Sequence, residues 1–272
     1  MAVAPYEEQL SLNRAWALME GSMYFEQKSK VHEALTRITR RLNELGIPYA
    51  VVGGMALFQH GYRRFTEDVD LLVTRPGLKA IHEHLDGLGY VPPFEKSKNL
   101  RDVELGVKIE FLVTGDYPGD GKPKPVAFPD PTQASMEIDG IRFLQLGRLV
   151  ELKLASGMTN PDRAKDLVDV SEMIKTLGLP ESFANELDPY VRDEYVRLWR
   201  QSRKRFVRIW HPTQASDESQ QRLLAAMQRE GVTVEHPSDA QADYVLLMTY
   251  DPDIARKYDL HDEREFWDSE GR

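Results

Sequence analysis

The chain has 272 residues, enough to bury a full hydrophobic core, and its 41% hydrophobic and 29% charged residues are typical of a soluble globular protein. It contains no cysteine, which excludes disulfides and thiolate metal sites. No apolar run reaches the length of a membrane span, and no basic segment followed by an apolar run opens the chain. We therefore expect a cytoplasmic protein without membrane contact.

The net charge of −9 is unevenly distributed along the chain. From Ile209 onward the sequence holds 14 acidic and 6 basic side chains, so nearly all of the net negative charge lies in the C-terminal segment. The preceding residues are almost neutral overall and can form local basic patches. The acidic net charge therefore does not exclude a nucleic-acid partner.

Two helices are predicted before the first strand. The first, Pro5–Met23, is moderately amphipathic and carries no recognisable chemistry. The second, Lys28–Leu45, has apolar residues at helical spacing and Gly46 directly after it as a C-cap. We expect this second helix to pack on a sheet.

The stretch from residue 47 to residue 73 carries most of the functional information. It begins with an apolar strand at Tyr49–Val52, which ends at the glycine pair Gly53-Gly54. A short apolar helix is predicted next, and a second strand follows at Asp68–Val73. The pattern therefore predicts a strand, a glycine turn, a helix and a returning strand.

Asp68 and Asp70 are two residues apart on the second strand, so their side chains point to the same face. Paired carboxylates bind hard cations such as Mg²⁺, and the glycines allow a phosphate to approach the main chain. A glycine pair alone is commonly a turn, and an Asp-x-Asp pair alone is commonly a solvated edge. Their combination indicates a site for a metal ion and a phosphate.

A third carboxylate is predicted at Glu110. The run Val107–Val113 alternates apolar residues with Lys108 and Glu110 before becoming uniformly apolar, which is typical of a strand entering the core. A buried Glu is costly unless it is paired or binds a metal, which favours Glu110 as the third acid. A surface-facing Glu on a half-exposed strand is the alternative.

These residues resemble the DNA polymerase β-like nucleotidyltransferase superfamily, with its glycine turn, its Asp-x-Asp strand and its later single acid. The sequence around Arg64 and the two aspartates resembles the AbiEii-type toxin and minimal nucleotidyltransferase branch. The resemblance implies a nucleoside triphosphate substrate and Mg²⁺ (or Mn²⁺) held by the three acids. One departure is Met55, which stands where many members carry a Ser or Thr hydroxyl.

Two helices are predicted between Leu146 and Leu177, with a restart at Asn160-Pro161. The same resemblance implies that Lys153 contacts the triphosphate and that Asp166 lines or braces the site, together with Arg163 and Lys165. A surface ion-pair ladder is the alternative. The residues predicted to bind the nucleotide are Gly53, Gly54, Met55, Arg64, Lys153 and Asp166.

Further elements are predicted outside the site. A helix is expected at Pro76–Leu88, and a hairpin at Met136–Phe143 turns at Asp139-Gly140, a favoured pair for tight turns. The C-terminal segment is predicted to contain strands near residues 206–210, 232–235 and 244–250 and a helix at residues 217–229.

The complete prediction is an α+β nucleotidyltransferase fold, a short mixed sheet flanked by helices. Residues 1–145 are expected to form the core, residues 146–204 a helical segment that completes the cleft, and residues 205–272 a small acidic α/β appendage. The predicted activity moves a nucleoside monophosphate to a hydroxyl of RNA or protein, in a toxin-antitoxin or defence setting. A catalytically silent binding protein and an aminoglycoside-type enzyme remain alternatives, and the appendage is expected to bind a partner protein or a second copy.

Overall fold

The computed structural model describes residues 3–202, 206–209, 233–235 and 245–246. Its first 202 residues contain nine α-helices and seven strands within the part described. The helices are α1 (Tyr6–Leu12), α2 (Arg14–Phe25), α3 (Lys30–Glu44), α4 (Gly53–Gln59), α5 (Arg75–Leu85), α6 (Pro131–Ala134), α7 (Leu146–Thr159), α8 (Ala164–Leu177) and α9 (Pro189–Ser202). The strands are β1 (Tyr49–Val51), β2 (Asp68–Val73), β3 (Tyr90–Val91), β4 (Leu100–Asp102), β5 (Lys108–Val113), β6 (Ser135–Ile138) and β7 (Ile141–Leu144).

The seven strands form one mixed sheet in the order β3-β4-β5-β2-β1-β7-β6. Strand β2 lies near its centre, antiparallel to β1 and parallel to β5. Strands β1 and β7 are also parallel, and the remaining neighbours are antiparallel. The two strands that carry the predicted acids are therefore adjacent.

Burial alternates along the two central strands. In β5 the side chains of Ile109, Phe111 and Val113 are buried, whereas Lys108 and Glu110 are half-buried on the other face. Strand β2 begins with the same alternation and then becomes fully buried. A period of two thus gives each strand a core face and a polar face.

Helices α3, α4 and α5 pack against strands of this sheet. In α3 the apolar residues at helical spacing, among them Val31, Leu35, Ile38 and Leu42, are all buried. The prediction that this helix packs on a sheet is confirmed, and so is the α+β fold with a short mixed sheet flanked by helices.

The prediction of a single helix at Pro5–Met23 is wrong, because Asn13 interrupts the helix. This residue has an extended backbone (φ −127°, ψ 93°), and its side chain accepts a hydrogen bond from the Trp16 N–H. An Asn in this role caps the start of a new helix, since it satisfies an otherwise unpaired N–H. Two helices, α1 and α2, therefore replace the one predicted.

The predicted hairpin at Asp139-Gly140 is confirmed. Strands β6 and β7 pair antiparallel with Ile138 opposite Ile141, and the two turn residues have φ values of 51° and 78°. Two consecutive positive φ values are typical of a type I′ turn, whose backbone twist matches the right-handed twist of the two strands that it joins.

The chain divides into two compact units, Met1–Leu198 and Trp199–Arg272. In the second unit, strands β8 (Phe206–Ile209), β9 (Thr233–Glu235) and β10 (Val245–Leu246) form a parallel sheet in the order β10-β8-β9. The helix predicted at residues 217–229 lies outside the described residues. The predicted boundaries after residues 145 and 204 stay predictions.

Within the part of the chain that the structure describes, each helix is too short or too polar to cross a lipid bilayer.

Candidate active site

The structure brings the three predicted acids together on one face of the sheet. Strands β2 and β5 pair with Asp70 directly opposite Glu110, and Asp68 lies two residues before Asp70 on the same face. One carboxylate oxygen from each residue lies within 4.8 Å of the other two. Two oxygens that bind one Mg²⁺ ion lie at most about 4.2 Å apart, so small movements of these side chains would let all three bind one ion.

Gly53 lies against the Asp70 carboxylate. Its backbone has a φ of +59°, and a Cβ added there would lie 1.8 Å from Asp70 Oδ2. Gly54 is similarly restricted, because an added Cβ would lie 2.6 Å from the Thr66 side chain. Both glycines are therefore required by contacts with strand β2 and the residues just before it.

Thr66 was missed by the sequence analysis as a site residue. Its hydroxyl donates a hydrogen bond of 2.6 Å to Asp68 Oδ1, and its side chain is almost fully buried. The bond fixes the direction of the carboxylate. Thr66 precedes strand β2, so the two-residue period of a strand gives no signal for this contact.

The strand pattern predicts no role for Lys108, and the structure places it within the acidic cluster. Its register partner on β2 is Asp68, and its ammonium forms an ion pair with Glu110. Two residues separate Lys108 from Glu110, so the alternation that predicted Glu110 also placed this lysine on the same face.

Burial, reinforced by the charges of Asp68 and Glu110, raises the pKa of Asp70 to about 7. Removing a carboxylate from water disfavours its ionised form, and neighbouring negative charges disfavour it further. The positive charges of Lys153 and Arg163 act on Asp70 in the opposite direction. The cluster therefore has an excess of negative charge that a divalent cation would neutralise.

A buried ion-pair network joins helices α7 and α8. Lys153 Nζ lies 2.8 Å from Asp166 Oδ1 and 2.7 Å from Asp169 Oδ2. Asp166 also accepts hydrogen bonds from the Ser156 hydroxyl (2.7 Å) and from Arg163 Nε (3.0 Å). Since Lys153 and both carboxylates are almost fully buried, the network differs from the surface ladder that was the alternative interpretation.

Arg64 reaches the same network from the loop before β2. Its Nε lies 3.1 Å from Asp169 Oδ1. The structure thus brings together three of the predicted nucleotide-binding residues, Arg64, Lys153 and Asp166. It adds Asp169, which the sequence analysis left without a role. The cluster holds three cations, with Arg163 included, and two carboxylates.

The Met55 side chain is directed to an aromatic cluster. It is buried, and its sulfur accepts a hydrogen bond of 3.4 Å from the Tyr24 hydroxyl. Tyr24 in turn packs against the rings of Phe58 and Phe65. Met55 is therefore part of the buried hydrophobic core.

The residues of the cluster fit a hard divalent cation. The three candidate ligands are carboxylates, the oxygen donors that Mg²⁺ and Mn²⁺ prefer. The approach of Gly53 to Asp70 leaves no volume for a side chain, so on this side only the main chain of the glycine lies beside the carboxylate.

The sequence matches no protein-family model and no curated protein. Solved structures do match. They include ANT(2")-Ia in complex with adenylyl-2"-tobramycin (15% identity, 60% of this chain and 97% of that chain, TM-score 0.38). An antigenic nucleotidyltransferase-like protein from Paracoccidioides brasiliensis matches with 16% identity, 54% and 76% coverage and a TM-score of 0.38. JHP933 from Helicobacter pylori matches with 20% identity, 63% and 78% coverage and a TM-score of 0.35. At these values the function has to be argued from the residues of the site.

Proposed function

We propose that this protein is a metal-dependent nucleotidyltransferase that moves a nucleoside monophosphate from a nucleoside triphosphate to a hydroxyl acceptor. The observation that carries the proposal is the meeting of Asp68, Asp70 and Glu110 beside the main chain of Gly53. Three carboxylates supply the cation site that this chemistry requires, and the glycine main chain beside them carries no side chain that would block a phosphate.

In this proposal Asp68 and Asp70 hold Mg²⁺ or Mn²⁺, and Glu110 completes the site or accepts a proton. The cation would neutralise charge on the triphosphate as the reaction proceeds. Thr66 keeps the Asp68 carboxylate in one orientation through its hydrogen bond. Preorganised ligands lower the barrier, because they need no rearrangement when charge develops.

The ion-pair network around Lys153 is assigned to the triphosphate. Lys153, Arg163 and Arg64 carry three positive charges against the two negative charges of Asp166 and Asp169. Lys153 uses two of its three ammonium hydrogens in this network, which leaves the third for a phosphate oxygen. The network would then both anchor the nucleotide and hold the lysine in place.

The proposed reaction is a displacement at the α-phosphorus. The acceptor hydroxyl oxygen forms a bond to this phosphorus, and the bond to the bridging oxygen of the pyrophosphate breaks. The hydroxyl proton passes to Glu110 or to water, and pyrophosphate leaves with the bonding electron pair. Correct positioning of the two reactants supplies much of the rate enhancement.

The acceptor is proposed to be an RNA 3′ end or a protein side chain. The likeness of the motif to the AbiEii-type branch favours these two acceptors and a toxin-antitoxin or defence role. The acidic segment at residues 205–272 would then bind a partner protein or a second copy. A small hydroxylated molecule such as an aminoglycoside is the other acceptor to be tested.

The test uses each nucleoside triphosphate labelled at the α-phosphate, with Mg²⁺ and separate pools of total RNA, lysate protein and aminoglycosides. The proposal expects the label to be transferred to one of these pools. An Asp68→Asn/Asp70→Asn variant should lose this transfer. An Asp116→Asn control, which changes a half-exposed carboxylate, should keep it. Transfer to RNA should also fall steeply as salt is added. Nucleotide binding without transfer to any pool would instead favour a silent binding protein, the alternative that Met55 supports because it supplies no Ser or Thr hydroxyl.

A further inference from the structure

Lys108 lies directly against one of the proposed metal ligands, Glu110. The pairing of β2 with β5 places Lys108 opposite Asp68 and Glu110 opposite Asp70, so two acids of β2 face a lysine and an acid of β5. The Lys108 ammonium contacts Glu110 Oε1. Its side chain is about one third exposed (34%), so it has room to move.

The neighbouring strand shows that this contact is not a general feature of the basic residues here. Arg101 on β4 is the register partner of Lys108, but its guanidinium faces Glu7, with nitrogen–oxygen distances of 2.9 and 2.6 Å. It also donates to the Gly106 carbonyl oxygen. Arg101 therefore forms its ion pair with Glu7, outside the acidic cluster, whereas Lys108 forms its ion pair with Glu110, within the cluster.

An ammonium and a divalent cation cannot share the same carboxylate oxygen without strong repulsion. A metal ion bonded to Glu110 Oε1 must therefore separate Lys108 from that oxygen, and one bonded to Oε2 is still repelled by the ammonium beside it. The four-carbon stem of a lysine allows the ammonium to turn away, and it then needs a new anionic partner. A bound triphosphate supplies such a partner beside the site.

We propose that Lys108 is a positioning residue that occupies Glu110 in the empty site, lowers its affinity for divalent cations and releases it when the nucleotide arrives. This inference rests on the proposed function, because it assumes that the three acids are the metal ligands. Its consequence is that the site takes up metal weakly alone and strongly together with a nucleoside triphosphate.

The test is a calorimetric titration of the full-length protein with Mn²⁺ in the absence of nucleotide. Because it lacks the competing charge, Lys108→Met should bind Mn²⁺ about tenfold more tightly than the natural protein. This factor already includes the screening by solvent at a partly exposed ion pair. Lys108→Arg keeps the charge and should bind as the natural protein does. Lys79→Met, which removes an exposed lysine paired with Glu83, is the control and should change nothing.

A second titration contains a nucleoside triphosphate analogue with a methylene group between the α- and β-phosphorus. The difference between Lys108→Met and the natural protein should then shrink, because the triphosphate has already taken the lysine. An equal or lower Mn²⁺ affinity of Lys108→Met without nucleotide would overturn the inference, and so would a difference that the analogue leaves unchanged. Lys108→Gln, also uncharged, serves if the Met variant does not fold.

An Asp68→Asn/Asp70→Asn variant separates this inference from the proposed function. If it binds Mn²⁺ as the natural protein does, the metal site itself is wrong and both proposals fail. If it loses Mn²⁺ while Lys108→Met matches the natural protein, the metal site stands and only the role of Lys108 is rejected.

Discussion

At the scale of single residues, Gly53 determines how closely the main chain approaches Asp70. A methyl group there would overlap Asp70 Oδ2, and the φ of +59° is itself unfavourable for any residue with a Cβ. The overlap can be relieved only if the carboxylate moves, which would disturb the cation site. Position 53 therefore requires a glycine for two reasons, the contact with the Asp70 carboxylate and the positive φ.

Gly53→Ala should abolish measurable Mn²⁺ binding and lower the free energy of unfolding by more than the ~1 kcal/mol expected for a positive φ alone. Gly46→Ala is the matched control, because Gly46 also has a positive φ (+64°) but no atom within 4 Å of the added Cβ. It should show only the backbone cost and keep Mn²⁺ binding. Calorimetry and urea unfolding measure the two effects; equal Mn²⁺ affinities for the two variants would contradict the role of Gly53.

Asp70 makes the stability of the metal-free protein depend on pH. In the folded protein the pKa of Asp70 is raised to about 7, so the carboxyl keeps its proton up to about that pH. In the unfolded chain its pKa is 3.8, so the proton is lost at lower pH. The contribution of Asp70 to the stability of the protein is therefore greatest below pH 4 and falls as the pH rises toward 7. Asp70→Asn should raise the free energy of unfolding at pH 8 by on the order of 2 kcal/mol in EDTA, with little effect near pH 4.

Urea unfolding at the two pH values measures this difference. Asp116→Asn, which changes a half-exposed carboxylate, is the control and should show no such pH-dependent gain. A variant Asp70→Asn that is less stable than the natural protein at pH 8 would show that Asp70 is not destabilised by its surroundings.

The acids of the site could be predicted from the sequence, whereas the direction of the Met55 side chain could not. The shared face of Asp68 and Asp70 follows from the two-residue period of a strand, which is a local property. Met55 is buried because it meets Tyr24, 31 residues away in the chain. Contacts over such separations depend on the packing of whole elements.

At the scale of secondary-structure elements, helices α7 and α8 are joined by the ion pairs of Lys153. Lys153→Met should lower the free energy of unfolding by about 3 kcal/mol, because it leaves two buried carboxylates with fewer partners. Lys175→Met on α8 is the control, since its pair with Glu172 is half-exposed and contributes less than ~0.5 kcal/mol. Urea unfolding compares them; a cost for Lys153→Met no larger than that of the control would contradict a structural role.

Element types were predictable where a single residue pair or a long periodic pattern decides them. The Asp139-Gly140 turn is one such pair, and α3 is one such pattern. The break at Asn13 was not predictable from periodicity, because it depends on a single side chain that caps the Trp16 N–H. Burial of the network around Lys153 likewise depends on how α7 packs on α8, and helical spacing alone does not give it.

At the scale of the whole molecule, all residues of the candidate site lie within the unit Met1–Leu198. The order of strands in its sheet was not predictable, since neighbours such as β1 and β7 are about ninety residues apart in the chain. Pairings over such distances are chosen by the assembled core, and no local signal in the sequence specifies them.

A chain that ends after Ser202, the last residue of α9, should fold cooperatively and bind Mn²⁺ with the affinity of the full-length protein. The expectation follows because this chain keeps the seven-stranded sheet, its helices and the ligand set. Circular dichroism and calorimetry provide the measurement. A shortened chain that folds but fails to bind Mn²⁺ would show that residues beyond 202 contribute to the site.

The most direct test of the proposed site is the position of a bound cation. Crystals of the full-length protein grown with Mn²⁺ and a nucleoside triphosphate analogue should show an anomalous scattering peak bonded to Asp68, Asp70 and Glu110, with the phosphates beside Gly53. An ordered nucleotide with no Mn²⁺ at these three carboxylates, or with Mn²⁺ bound elsewhere, would contradict the account.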